Sequence, residues 1–250
     1  MSPASDSLAA GRTRIIVALD LPTRAQALQL VERLGGRPGF FKVGGQLFTA
    51  AGPAIVRELL ERGERVFLDL KFHDIPHIVA EACVEAADLG VRLLTVHSSG
   101  GPKMLRAARQ ALEKHCPAER DRPRLLGVTL LTSLSGREVK QIGFPGSVER
   151  NVVRLARLAQ RSGCDGVIAA PTDVAALRRA CGKRFLIVTP GIRSAKRDRR
   201  QAPDQARVAT AADSIRAGAD YVVVGRAILE SRSPARAFDA LAEELSGLLT

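Results

Sequence analysis

Eight short apolar runs punctuate the chain: Ile15–Leu19, Phe40–Val43, Val66–Leu70, Leu93–Val96, Leu125–Leu131, Gly166–Ala169, Phe185–Val188 and Tyr221–Val224. β-Branched and aromatic residues are frequent in them, and most lack strict alternation with polar residues. That is how strands buried on both faces read. Between them, apolar residues recur every three or four positions. This spacing predicts helices at Ala25–Leu34, Ala54–Arg62, Ile78–Leu89, Lys103–His115, Val148–Ser162, Thr172–Ala180 and Asp204–Ala217, with a last one at Pro234–Leu249. Several end near glycine, as helix C-termini commonly do. Strand–helix alternation eight times over predicts an α/β protein, a single-domain (β/α)8 TIM barrel. No linker or low-complexity stretch divides residues 14–250, which are expected to form one catalytic domain. Residues 1–13 are small, polar and Gly-ended, and are expected to be a disordered or frayed tail. A doubly wound open sheet is the main rival, but no G-x-G-x-x-G follows the first strand.

Composition narrows the function. The length of 250 residues suits one large barrel domain, and 46% hydrophobic residues allow a sizeable core. No apolar run approaches the ~20 residues of a membrane span, and no secretory h-region opens the chain. The four cysteines, Cys83, Cys116, Cys164 and Cys181, are scattered, which suggests reduced thiols and a cytoplasmic home. No Cys/His spacing for zinc exists, so no metal site is expected. A net charge of +12 favours anionic partners. The basic residues are spread out, however, with one Tyr and no Trp, so neither a nucleic-acid nor a membrane partner is expected.

The stretch Asp69-Leu70-Lys71-Phe72-His73-Asp74-Ile75-Pro76 changes the picture. In a strand, side chains alternate faces, so Phe67, Asp69 and Lys71 should share one face. Charges at the end of a buried strand are costly unless paired. An Asp–Lys ion pair closing the strand mouth would account for two of them. The other strand ends favour an active site, because they too are polar: Asp20; Lys42 with Gly44-Gly45; His97; Thr129 with Thr132-Ser133; Thr189; and Gly225-Arg226. In such barrels the site lies at this rim. Pro190-Gly191-Ile192-Arg193 and Gly225-Arg226 follow the last two strands, where a phosphate is often held. Glycine lets backbone N–H groups approach oxygens, and arginine adds a bidentate fork. The segment from Arg193 to Arg207 reads as a polar, basic lid, with Gln205 able to donate a hydrogen bond and Lys196–Arg200 as a solvated charge run.

These motifs together resemble the orotidine 5′-phosphate decarboxylase family over nearly the whole chain. The core is Asp69-x-Lys71-x-x-Asp74-Ile75-Pro76. Lys42-Val43-Gly44, Thr95-Val96-His97, Leu131-Thr132-Ser133, Pro190-Gly191-Ile192-Arg193, Asp204-Gln205-x-Arg207-Val208 and Gly225-Arg226 extend it. Ala211 departs from the family's usual proline after Thr210. The resemblance implies decarboxylation of orotidine 5′-monophosphate to uridine 5′-monophosphate, the last step of de novo pyrimidine biosynthesis, with no cofactor. It implies Lys71 as the proton donor to C6, Asp69 beside the departing carboxylate, and Asp74 reaching across a homodimer interface to ribose. Asp20 and Lys42 would bind ribose hydroxyls, Ser133 the pyrimidine, and Gln205 both pyrimidine and phosphate. Arg193 and Arg226 would hold the phosphate beside Pro190 and Gly225, and His97 and Thr132 fall near the pocket.

The nearest alternative is a related barrel enzyme acting on sugar phosphates through an enediolate held by Mg²⁺. Such relatives are expected to place an acidic ligand near the end of the second strand, where this chain has Lys42. From another class, the charge permits a nucleic-acid-binding module with steep salt dependence. A scaffold with a dead site is also conceivable, but every expected charged residue is present.

Overall fold

Strands β1 (Ile15–Ala18), β2 (Phe40–Gly44), β3 (Val66–Phe72), β4 (Leu93–His97), β5 (Arg124–Val128), β6 (Gly166–Ile168), β7 (Leu186–Thr189) and β10 (Tyr221–Val224) pair in parallel and close into a barrel. β1 joins β2 to β10, so no edge is left open. This computed structural model describes residues 9–193 and 209–248. A small parallel pair, β8 (Ile192–Arg193) and β9 (Ala209–Thr210), lies outside the barrel.

The strands bury both faces against different partners. Ile16, Phe40, Phe67, Leu126, Val188 and Val223 fill the barrel interior. Their neighbours Ile15, Val17, Phe41, Val66, Leu68 and Val224 face the helices instead. Both sets are apolar, which is why the sequence shows runs rather than alternation. The outer layer comprises α1 (Arg24–Leu34), α3 (Ala54–Glu61), α4 (Pro76–Asp88), α5 (Gly101–His115), α7 (Val148–Arg161), α8 (Val174–Cys181), α9 (Ala211–Arg216) and α11 (Pro234–Ser246). Local chemistry sets several starts: the side chains of Thr23, Ser147 and Thr210 each accept an amide hydrogen bond from the first turn that follows.

Four expectations need correction. β5 ends at Val128, not Leu131; Leu130 and Leu131 continue the apolar run because they line a cavity beyond the strand. The helix expected over Asp204–Ala217 begins at Ala211, after the Thr210 cap and β9; residues 204–208 lie outside the described residues. Residues 9–13 are helical rather than frayed; there Arg12 pairs with Asp239 at 3.0 Å, and Gly11 packs against α11. Finally, α2 (Gly45–Ala51), α6 (Gly136–Gln141) and α10 (Arg226–Leu229) follow strand ends but are too short to show a helical period. Among the described residues, no helix is long and apolar enough to cross a membrane. The four cysteines are unbridged, and burial pushes the Cys83 and Cys164 thiols up to about 12.

Candidate active site

At the C-terminal ends of the strands opens a cavity of about 500 Å³, lined in part by Asp20, Lys42, Asp69, Lys71 and Arg226. Its floor is the top of the barrel core, with Phe67, Val128, Ile168 and Val223. Charged groups therefore stand on an apolar base, where electrostatic interactions are less screened than in water.

The charges form one chain. Lys42 Nζ lies 2.9 Å from Asp20 Oδ1 and 3.7 Å from Asp69 Oδ2. Asp69 Oδ2 in turn accepts a hydrogen bond from Lys71 Nζ at 2.8 Å. Lys42 and Asp69 are nearly buried, whereas Lys71 keeps about a third of its side chain open. Gly44 permits this packing: a Cβ there would sit 2.9 Å from Lys42 Nζ and 3.3 Å from Asp20 Oδ1.

Phe67, Asp69 and Lys71 all line the cavity, as alternation expects, but the strand is not regular there. The pairing of β3 with β4 shifts register between Leu68 and Phe72. Within that irregularity Lys71 has φ 53°, the positive-φ region that side-chain-bearing residues rarely adopt. Among the described residues it is the only non-glycine residue there. Thr95 on β4 braces the bend. Its hydroxyl accepts from the Lys71 amide at 2.9 Å and donates to Asp69 Oδ1 at 3.0 Å. Fully buried Thr95 thus fixes both members of the Asp69–Lys71 pair. The sequence placed it in the motif Thr95-Val96-His97 but gave it no role, because a threonine inside an apolar strand reads as an ordinary β-former.

Thr132, Pro190 and Gly225 also line the cavity, as does Gly191, whose φ of 84° suits glycine alone. Ser133 is exposed and does not line it. Asp74 is exposed too, its carboxylate accepting from the Ile75 amide at 2.6 Å rather than facing its own cavity. Arg193 contributes described backbone only, and Gln205 and Lys196–Arg200 lie outside the described residues. His97 stands behind the array, its ring 5.2 Å from that of His73. Burial holds His97 below the ordinary histidine range, and the charges of His73 and Lys71 add to this.

A closed parallel barrel with a charged cavity at the C-terminal ends of its strands defines a (β/α)8-barrel enzyme. Sequence likeness narrows the class. Residues 13–241 match the description "Orotidine 5'-phosphate decarboxylase / HUMPS family", and the chain belongs to that family. It is 46% identical to "Orotidine 5'-phosphate decarboxylase" of Syntrophotalea carbinolica, covering 97% of this chain and 98% of that protein. It is 48% identical to the protein of the same name from Moorella thermoacetica, covering 94% and 92%. The crystal structure of "Orotidine 5'-phosphate decarboxylase" from Lactobacillus acidophilus superposes with a TM-score of 0.81 at 36% identity, covering 92% of this chain and 98% of that one.

Proposed function

We propose that this enzyme decarboxylates orotidine 5′-monophosphate to uridine 5′-monophosphate, completing pyrimidine nucleotide synthesis without a cofactor. The observation that carries the reading is the Asp20–Lys42–Asp69–Lys71 charge chain in a cavity of about 500 Å³. That volume lies within the ~300–1,000 Å³ of small-molecule sites. Losing CO₂ leaves a carbanion with no adjacent electron sink, so the barrier to lower lies in the upper part of the ~8–23 kcal/mol that enzymes remove. Lys71 meets this by placing an ammonium where negative charge appears only in the transition state, and then gives its proton to C6. Asp69 crowds the departing carboxylate while holding Lys71 in place. Asp20 and Lys42 bind ribose hydroxyls, and Asp74 of a second copy completes that contact. Ser133 reads the pyrimidine once its exposed loop turns inward over the base, beside Thr132 on the cavity wall. Arg226, with Arg193, Pro190 and Gly225, binds phosphate, and Gln205 spans phosphate and base.

Within the family the competing chemistry is the Mg²⁺-assisted reaction on sugar phosphates. Lys42 disfavours it, because an ammonium 2.9 Å from Asp20 and 3.7 Å from Asp69 stands where a divalent ion would need those carboxylates. Loss of orotidine monophosphate absorbance, followed with EDTA present, tests the proposal. Turnover should persist in EDTA, and Lys71→Ala should keep less than about a tenth of kcat while still binding uridine monophosphate. Activity that vanishes with EDTA, or a nearly unimpaired Lys71→Ala enzyme, would refute the assignment.

A further inference from the structure

The opposite, N-terminal mouth of the barrel is ringed by arginine. Arg65 and Arg92 directly precede β3 and β4, Arg124 opens β5, and Arg184 stands two residues before β7. A second cavity, about 630 Å³, opens there. Its lining holds six arginines, Arg65, Arg92, Arg120, Arg122, Arg124 and Arg184, against two carboxylates, Glu119 and Asp165. Phe40 and Tyr221, packed edge to face at 5.7 Å, form part of its floor.

Both carboxylates are already engaged. Asp165 pairs with Arg109 at 3.2 Å and Arg124 at 3.3 Å, and accepts the Leu125 amide. Glu119 pairs with Arg124 at 3.0 Å. Arg122 donates to the carbonyls of Cys116 and Pro117, and Arg120 lies 3.6 Å from Asp121. Three guanidinium groups form no ion pair with a carboxylate among the described residues, although Arg65 lies within the electrostatic reach of Glu64. Arg65 lies over the Phe40 ring at 4.7 Å, Arg92 donates only to the Arg120 carbonyl, and Arg184 has no hydrogen bond or ion pair. Elsewhere on the same rim the arginines are matched: Arg14 and Arg178 both pair with Asp220. Like charges gathered in a concave site repel one another, and an anion with several phosphates relieves that repulsion while accepting their forked N–H groups.

We propose that the N-terminal mouth of the barrel binds a small polyphosphate, held by Arg65, Arg92 and Arg184. The cavity is of small-molecule size, and the basic groups converge on it rather than forming the extended stripe that nucleic acid follows. The phosphate chain can belong to inorganic tripolyphosphate or to a nucleoside triphosphate, whose base would find apolar surface at Phe40 and Tyr221. The inference does not depend on the reaction at the other end of the barrel.

Calorimetric titration of the full chain with sodium tripolyphosphate, and separately with uridine triphosphate, tests it. The probes are compared on wild type, on Arg65→Glu/Arg92→Glu/Arg184→Glu, and on Arg57→Glu/Arg106→Glu/Arg236→Glu. The last variant makes the same charge change at exposed arginines that do not line the mouth cavity. Losing three charge-assisted contacts should weaken tripolyphosphate about tenfold or more in the rim variant, and at most about threefold in the control. The neutralising variant Arg92→Gln/Arg184→Gln should show an intermediate loss, and its unchanged far-ultraviolet dichroism would show that folding is intact. Equal affinities for the two probes assign the inorganic chain, and tighter uridine triphosphate assigns the nucleotide. No binding to wild type at millimolar probe would overturn the proposal. So would equal weakening in rim and control variants, or much tighter binding of a single-stranded RNA that the rim variant retains.

Discussion

A lysine backbone at φ 53° is disfavoured by of order 1–3 kcal/mol, and it persists only where neighbours fix it. Here the neighbour is Thr95, which bonds the Lys71 amide with one lone pair and Asp69 with its proton. Thr95→Val keeps the shape but orphans both groups. Stability should fall by about 1–3 kcal/mol, with Thr95→Ser recovering most of it. Turnover should fall further than the loss of folded protein explains, with affinity for uridine monophosphate little changed; a matching fall in both would reduce Thr95 to a packing residue. Arg226 poses the complementary case. Arg226→Ala should weaken binding of uridine monophosphate by about tenfold or more, as loss of a charge-assisted phosphate contact implies, and leave uridine binding unaltered. The identities of Asp69 and Lys71 were legible in the sequence because charged residues rarely follow a buried apolar run. Their bracing was not. Alternation did assign Phe67, Asp69 and Lys71 to the one face that lines the cavity, but it cannot register the shift between Leu68 and Phe72 in which Lys71 takes its positive φ.

At the scale of elements, the barrel strands were the most readable feature and the loops above them the least. Val222 to Val224 are buried on both faces of β10, and so announce themselves as an apolar run. Leu130 and Leu131 look the same in sequence yet belong to the cavity wall, the first buried there and the second 40% exposed, because apolar residues lining a site and apolar residues of a sheet leave one signature. The end of β4 and the loop after β3 meet in the His73–His97 pair, which makes this junction sensitive to acid. Burial lowers the His97 pKa from its ordinary 6.5, with His73 and Lys71 adding and Asp69 opposing. The unfolded chain therefore takes up a proton near pH 6.5 that the folded chain resists. Stability from this group is intact above about pH 6.5 and declines as pH falls through and below it. Thermal melts at pH 7.5 and 5.5 should show a smaller acid-induced drop in Tm for His97→Gln than for wild type. An identical drop in the two proteins would place the acid sensitivity elsewhere.

For the whole molecule, the described chain keeps one acidic member of its charged motif out of its own cavity. Asp74 belongs to the same motif as Asp69 and Lys71, yet it is exposed and does not line its own cavity. Beside it Ile75 and Ile78 are 63% and 48% exposed, the first on the turn and the second on α4. Two bare isoleucines are costly on an isolated barrel, and with the exposed carboxylate of Asp74 just before them they are explained if a second copy covers the isoleucines and receives the carboxylate. A two-fold arrangement makes the exchange mutual, each copy lending Asp74 to the other's cavity. Lys71→Ala and Asp74→Ala proteins should then be nearly inactive alone. Unfolded together and refolded, they should regain activity, since a mixed dimer unites an intact Lys71 from one chain with an intact Asp74 from the other in one of its two sites. Random reassortment makes about half the dimers mixed, so the recovered rate should approach about a quarter of wild type. Recovery depends on both defects lying in one shared site, so a mixture no more active than its components would confine Asp74 to its own subunit. Sedimentation of the same samples as dimers would show that reassortment had the chance to occur.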